Sequence, residues 1–220
     1  MKEGFTQFML DSGALLFKES ELKSGRISPF FMNLGIFNSG EQLFKLAEFY
    51  AEAIINRYGT DFNVVFGPAY KGIPLSVAVT MVLEANYGLN VQYCSNRKEV
   101  KDHGEGGALI GAKLKDGDRI VIVEDVTTSG KSMEETVPIL RSQGAKIEIV
   151  GSMVSLDRHE VGNGGEKTAL EEITDLYGFP ASAIVSMPEV IDYMNSKQLL
   201  DTKTLVALGE YYQKYGPKEE

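Results

Sequence analysis

Runs of apolar, mostly β-branched residues alternate along the chain with segments in which apolar residues recur at helical spacing. The clearest run is residues 120–123, Ile-Val-Ile-Val, which is typical of a strand buried on both faces of a parallel sheet. A helical pattern begins at about residue 131, with Met133 and Leu140 on one side and Gly144 as a stop. The alternation predicts an α/β fold with a mainly parallel central sheet flanked by helices.

The same periodicities predict the other elements. Ser39, followed three residues later by Gln42, has the pattern of a helix N-cap with a capping box, and Gly59 ends that helix. Further helices are predicted over residues 4–18, from about 73, over 168–177, from Pro188 and over 199–215. Strands are predicted over residues 63–66, 91–95, 146–154 and 183–186, with an extended stretch over 28–33.

Length and composition narrow the class of protein. The 220 residues fit one domain, and the net charge of −9 argues against a broad nucleic-acid surface. The single cysteine, Cys94, excludes an internal disulfide, fits a reducing cytosol and is expected to be buried in a strand. No apolar run is long enough to span a membrane, and residues 1–10 contain no signal-peptide core. We therefore expect a cytoplasmic protein without a membrane or nucleic-acid partner.

The densest polar chemistry follows the run at 120–123. Glu124 and Asp125 stand where the strand should leave the sheet, and small residues at 127–130 then lead into a helix. Backbone N–H groups at a helix N-terminus bind anions, whereas two carboxylates suit hydroxyl groups or a metal-bound water. A ribose 5'-phosphate would suit both features, with its phosphate in the loop and its hydroxyl groups on the two carboxylates. The alternative is a polar loop with a capping hydroxyl, but consecutive acids on a buried strand favour the ligand.

The segment Gly130-Lys131-Ser132 is similar to the end of a nucleoside-triphosphate P-loop. That motif requires a glycine five positions before its second glycine, and position 125 is Asp. A carboxylate at that position would repel a triphosphate, so the P-loop interpretation fails.

Two further segments suit phosphate groups. Residues 67–72 form a second turn between a strand and a helix, and this turn presents Lys71 beside backbone N–H groups, although Gly-Pro turns are common. Residues 96–107 carry four potentially cationic side chains and then three glycines, which predicts a mobile lid that closes over a polyanion. A solvated hairpin tip is the alternative for this segment.

Single residues add candidate contacts for a planar acid. Arg158 follows a predicted strand and could bind a carboxylate through its planar fork, or form a surface salt bridge with Asp157 or Glu160. Of the adjacent Phe30 and Phe31, one could point into the core and the other could face a planar ligand.

Five segments together resemble one family. VIVEDVTTSGKS resembles the phosphoribosyl diphosphate motif of type I phosphoribosyltransferases. LKSGRISPFF, FGPAYKGIP, NRKEVKDHGEGG and SLDR resemble the further signatures of the orotate phosphoribosyltransferase family, in that family's order. The resemblance implies a type I phosphoribosyltransferase fold as a single domain over 1–220, with a small N-terminal hood at about 1–38 and the lid at 96–107.

The resemblance also implies a reaction and its partners. The phosphoribosyl group of phosphoribosyl diphosphate would pass to orotate, giving orotidine 5'-monophosphate and pyrophosphate, a step of pyrimidine biosynthesis. Magnesium would be held mainly through the substrate, with no direct protein ligand. The chains would pair as homodimers in which the lid reaches the neighbour's site.

Roles for individual residues follow from the same resemblance. The residues implied to be catalytic are Lys101, His103 and Asp125. The residues implied to bind phosphoribosyl diphosphate are Lys23, Tyr70, Lys71, Arg97, Lys98, Lys101, His103, Glu124, Asp125, Val126, Thr127, Thr128, Ser129, Gly130, Lys131 and Ser132. The residues implied to bind orotate are Lys23, Phe31, Met32, Thr128 and Arg158.

The sequence departs from the family pattern at a few positions. Glu124 stands where the family often has Asp, and Met32 where an aromatic residue is common. Ser129 and Lys131 stand where Ala and Thr are frequent.

Two other functions fit parts of the pattern. A phosphoribosyltransferase for another base is disfavoured by Arg158, since a neutral purine offers it no carboxylate. A regulator that kept the ribose-phosphate site without catalysis should have lost the lid cations or gained a basic DNA-binding region, and the sequence shows neither. A purely structural role would leave the functional loops unexplained.

The lid interpretation predicts the behaviour of Lys101→Ala. A lysine that stabilises charge on the leaving pyrophosphate acts in the transition state, so the variant should lower turnover far more than it weakens orotate binding. Steady-state kinetics beside an orotate titration checks this. Equal losses in turnover and binding would contradict the role.

Overall fold

The computed structural model describes residues 1–22, 25–101, 107–127, 130–162 and 165–218, without the side chains of Val100, Lys101 and Lys131. Its helices are α1 (Lys2–Asp11), α2 (Gly40–Tyr58), α3 (Gly72–Tyr87), α4 (Lys131–Arg141), α5 (Ala169–Tyr177), α6 (Met187–Ser196) and α7 (Thr202–Tyr215). Its strands are β1 (Leu15–Leu16), β2 (Ser20–Glu21), β3 (Ile27–Ser28), β4 (Phe31–Met32), β5 (Val64–Phe66), β6 (Gln92–Lys101), β7 (Gly107–Gly111), β8 (Arg119–Thr127), β9 (Glu148–Asp157) and β10 (Ala181–Ser186).

Six of these strands form the central sheet, in the order β10-β9-β8-β5-β6-β7. Every neighbouring pair is parallel except β6 and β7, which are antiparallel at one edge. Helices cover both faces. The predicted α/β class with a mainly parallel sheet is confirmed.

Strand β8 is the centre of the hydrophobic core, as its β-branched run predicts. Ile120, Val121, Ile122 and Val123 are all fully buried. Val121 and Val123 join the larger cluster with α1, α2 and α3, whereas Ile120 and Ile122 join a second cluster with α4 and α5. Alternate side chains therefore anchor the same strand to both helical layers.

The N-terminal region departs from its predicted helix. Residues 4–18 were expected to be helical, but α1 ends at Asp11. The Ser12 hydroxyl donates to the carbonyl of Phe8, and Gly13 has a φ of +72°, so the chain turns away. Two small antiparallel pairs follow, β1 with β4 and β2 with β3, in the region expected to form a hood.

Several strands are longer than predicted. β8 continues through the acid pair to Thr127, because its parallel pairing with β9 continues as far as Thr127 and Asp157. β6 extends past the predicted 91–95 to Lys101, where it pairs with β7. The first residues of the predicted lid, 96–101, are thus strand and not loop.

Within the described ranges, no helix combines the length and the apolar character that crossing a membrane requires.

Candidate active site at the carboxyl edge of the sheet

The loops singled out from the sequence meet at one edge of the sheet. β9, β8, β5 and β6 are parallel neighbours, so their carboxyl ends lie side by side. The last residues of β8 and β6 include the acid pair and Arg97, and the segments that follow β9 and β5 carry Arg158 and Lys71. In open α/β sheets this edge is where ligands bind.

The acid pair at the end of β8 is held from several directions. The Glu124 carboxylate accepts a hydrogen bond from Ser132 Oγ at 2.6 Å, and its backbone carbonyl accepts from Tyr50 Oη at 2.6 Å. The Asp125 carboxylate receives Lys71 Nζ at 2.7 Å, and its carbonyl accepts from the hydroxyl of Ser155. These bonds fix two adjacent carboxylates at the mouth of the site.

Burial raises the pKa of the Glu124 carboxyl above the usual range for glutamate. Desolvation raises the pKa of its carboxyl from 4.5 to about 7, with the charge of Asp125 adding to the rise and the Ser132 hydroxyl opposing it. Burial and the charges of Asp125 and Glu124 also raise the pKa of Tyr50, which stays a neutral donor. In the free protein the pair therefore carries less than two negative charges near neutral pH.

The turn between β5 and α3 brings Lys71 to the acid pair. A Cβ on Gly67 would lie 1.9 Å from the carbonyl oxygen of Gly72, so only glycine permits this close backbone approach. Asn96 Oδ1 accepts from the Ala69 N–H at 2.8 Å and ties the turn to β6. Tyr70 is 71% exposed at the tip.

The loop from β8 to α4 is partly described. Thr127 Oγ1 accepts from the Gly130 N–H at 3.1 Å, and Gly130, at φ +72°, is the N-cap residue that precedes α4. Val126 is half-buried against the larger core cluster. Thr128 and Ser129 lie outside the described residues, as does the side chain of Lys131.

Two of the predicted lid cations are placed on β6. Arg97 Nε donates to the Leu109 carbonyl on β7 at 3.3 Å, and Lys98 Nζ lies 3.3 Å from the carboxylate of Glu135 on α4. The side chain of Lys101 and the whole of His103 lie outside the described residues, and so does Lys23 in the hood. Their implied roles remain predictions.

Arg158 is neither a surface residue nor paired with Asp157. It is 4% exposed, and its Nε donates to Glu160 Oε1 at 2.7 Å. Its Nη2 donates to Ser28 Oγ at 2.9 Å, and the guanidinium lies 4.1 Å from the ring centre of Phe30. Of the partners named for the alternative salt bridge, Glu160 is the one bound, but the pair is buried and not at the surface, because Ser28 and Phe30 of the hood cover this side chain.

The hood aromatics divide as their adjacency suggested. Phe30 is fully buried beneath Arg158, whereas Phe31 is only half-buried, with Lys18 Nζ 5.7 Å from its ring centre. Met32 is buried in the larger core cluster and pairs with Leu15 across β1 and β4. Of the adjacent pair, Phe31 is thus the one that remains accessible to a planar ligand.

Sequence reasoning missed several residues that position the site. Tyr50 lies on α2, a helix predicted without any role at the site, yet its hydroxyl donates to the Glu124 carbonyl. Asn96 and Arg26 lie within the quoted segments without an assigned role. A polar side chain at a core-facing position of an amphipathic helix is the signal that could have identified Tyr50.

Comparisons with known proteins agree with this geometry. Residues 34–181 match the family profile described as phosphoribosyl transferase domain. Orotate phosphoribosyltransferases of Agathobacter rectalis and Clostridium botulinum are 53% and 52% identical, covering 99% of this chain and 98% of theirs. The crystal structure of the orotate phosphoribosyltransferase of Francisella tularensis is 35% identical, with a TM-score of 0.83 over 97% of this chain and 99% of that one.

The raised pKa of Glu124 predicts a pH-dependent stability. Between pH 4.5 and about 7 the folded protein keeps a proton that the unfolded chain has released, so stability falls as pH rises through this window. Glu124→Gln abolishes that loss. The variant should exceed the parent by up to about 3 kcal/mol at pH 8 and converge with it near pH 5, as measured by urea unfolding.

Glu210→Gln, at an exposed carboxylate on α7, is the matched control and should leave the pH slope unchanged, because its charge does not contribute to the pKa of Glu124. A stability difference between Glu124→Gln and the parent that stays constant from pH 5 to 8 would contradict the assignment.

Proposed function

The chain belongs to the phosphoribosyltransferase family, and within it to the orotate phosphoribosyltransferases, and on that premise we propose how its residues carry out the reaction. The reaction transfers the phosphoribosyl group from 5-phospho-α-D-ribose 1-diphosphate to orotate, a step of pyrimidine biosynthesis. The observation that carries the assignment of roles is that the acid pair, with Lys71 bound to it, and Arg158 lie at the carboxyl ends of the neighbouring strands β8 and β9.

The phosphoribosyl half of the site is proposed to lie over the end of β8. The loop at 127–132 takes the 5'-phosphate, since the N-terminus of α4 and the hydroxyls of Thr127 and Ser132 supply donors. Glu124 and Asp125 take the ribose hydroxyls. Lys71, Tyr70 and the β6 cations Arg97 and Lys98 take the diphosphate.

The acceptor half is proposed to lie between the hood and the end of β9. Phe31 offers the face of a ring, and Arg158 offers guanidinium donors to the carboxylate of orotate. Lys23 and Thr128 complete this set on the family resemblance, and Met32 supports it from the core.

In the chemical step the bond from C1 of the ribose to the diphosphate oxygen breaks, and the bonding electrons leave with pyrophosphate. N1 of orotate, deprotonated, forms the new bond from the opposite face, which inverts C1. The protein contributes position and charge: cations neutralise the leaving pyrophosphate, and Asp125 favours the positive ribose ring. Lys101 and His103 are proposed to join the cations when the lid covers the site.

Magnesium is proposed as the cofactor, held mainly by substrate oxygens. The fit rests on the donors: Glu124 and Asp125 are two adjacent carboxylates, which suits an ion that keeps several waters and substrate phosphates. The part of the chain described offers no group of three His, Cys, Asp or Glu side chains for a metal. When bound, magnesium would neutralise charge on the diphosphate.

A homodimer is proposed, formed through α3. This helix has a single charged residue, Glu84, among its sixteen, and an apolar helix is expected to be covered on all sides. Pro74, Ala78, Met81 and Ala85 instead form a stripe of exposed or half-buried residues, with Met81 64% exposed. Because β6 packs beside α3, this pairing would bring each lid toward the partner's site.

A cytoplasmic location is also proposed. It is supported by the single thiol of Cys94, which is fully buried and whose pKa burial raises to about 12.

The first test is the ultraviolet absorbance of orotate in a mixture of protein, magnesium and phosphoribosyl diphosphate, with each component omitted in turn. We expect the signal to fall only in the complete mixture, with pyrophosphate released. Consumption of hypoxanthine, adenine or uracil in place of orotate would refute the role of Arg158. Binding of the diphosphate without turnover of any base would favour a regulator.

The α3 interface predicts the effect of Met81→Asp. A charge in the centre of the apolar stripe would be buried without a partner in the dimer, so the variant should be monomeric. Leu176→Asp, at a 70% exposed leucine on α5, is the matched control and should remain dimeric like the parent. Sedimentation equilibrium measures the mass, and a dimeric Met81→Asp would contradict the interface.

A further inference from the structure

Two arginines share one buried carboxylate beside the proposed orotate pocket. The Glu160 side chain is 1% exposed, and each of its oxygens accepts from a different guanidinium. Oε1 receives Arg158 Nε at 2.7 Å, and Oε2 receives Arg26 Nη1 at 3.0 Å. Arg26 comes from the turn between β2 and β3, 134 residues earlier in the chain.

The charges of this cluster do not cancel. Two guanidiniums stay positive at any ordinary pH, and the one carboxylate between them leaves an excess of one positive charge. A buried Arg158 paired with Glu160 alone would be neutralised. With Arg26 also bound to Glu160, the cluster keeps a charge for which burial favours an anionic partner.

The hydrogen bonds of Arg158 also favour a bound carboxylate. Its bonds to Glu160 and Ser28 use two of the five N–H donors of a guanidinium, and Phe30 supports one face of the plane. A planar carboxylate would be bound through the other donors.

The second arginine is itself firmly placed. Arg26 Nη2 donates to the Val161 carbonyl at 3.1 Å, and its guanidinium lies 5.0 Å from the ring centre of Tyr215 on α7. Tyr212 Oη, on the same helix, donates to the Arg158 carbonyl at 2.7 Å. Burial and the charge of Glu160 raise the pKa of Tyr212, which keeps its proton as a donor. The C-terminal helix thus braces both arginines.

We propose that Arg26 is a positioning residue for the acceptor base. By sharing Glu160, it leaves the charge of Arg158 for the carboxylate of orotate and so sets the preference for an acidic base. The inference rests on the proposed role of Arg158. According to this inference, Arg26 helps to select the base without contacting the base itself.

The test compares two substitutions that differ in charge. Arg26→Gln keeps a hydrogen-bond donor but is neutral, whereas Arg26→Lys keeps the positive charge. Both lose the planar contact with Tyr215. Arg141→Gln is the matched control, because Arg141 also donates to a backbone carbonyl, that of Tyr177, and is exposed at the end of α4. For each variant we would measure kcat and the KM values for orotate and phosphoribosyl diphosphate.

Arg26→Gln should raise the KM for orotate about tenfold or more, with kcat and the KM for phosphoribosyl diphosphate within about twofold of the parent. Arg26→Lys should stay within about threefold on all three constants, as should Arg141→Gln. Equal rises in orotate KM for Gln and Lys would assign Arg26 to packing and overturn the proposal. No rise for Gln would overturn it as well.

The Lys variant keeps the test decisive if the Gln variant does not fold, since a tenfold loss of orotate affinity with charge retained also overturns the proposal. Failure of the parent enzyme to use orotate would instead refute the proposed function, and the two failures are therefore distinguishable.

Discussion

The structure depends on the parallel pairing of β8 with β5 on one side and β9 on the other. Both edges of the strand are hydrogen-bonded, and both faces of its β-branched run are buried against helices. A strand constrained on four sides cannot slide or twist without breaking core contacts. Its carboxyl end, with Glu124 and Asp125, therefore has a fixed position, and the neighbouring loops are positioned relative to it.

The site places charge where burial would ordinarily oppose it. Glu124 meets this constraint by holding a proton more tightly, through desolvation at the mouth of the core. Asp125 meets it through Lys71, and Glu160 through two arginines. The burial of each carboxylate is thus compensated in a different way, and the three would respond differently to a bound ligand. Glu124 can release its proton, and Lys71 can move away from Asp125. The arginines bound to Glu160 are braced and stay in place.

Local patterns carried much of the prediction. The run at 120–123 identified β8, and the small residues after it identified the start of α4, because both depend on neighbours in sequence. The end of α1 was wrong, since Gly13 interrupts a pattern that otherwise reads as helix, and β6 was too short because its pairing with β7 is set by tertiary contact. The contact of Arg26 with Glu160 joins residues 134 apart, and no spacing rule reaches that far.

The ion pair of Lys71 with Asp125 has a consequence for what the free enzyme can hold. A stray inorganic phosphate could draw Lys71 away, but it would leave Asp125 without a partner and facing a second anion. A sugar without phosphate could serve Asp125, but it would leave the lysine unmatched. A molecule that offers both hydroxyl groups and phosphate, as the proposed substrate does, would match both residues at once. Because Lys71 is mostly exposed, the pair is weak and would favour such a molecule without barring simple ions.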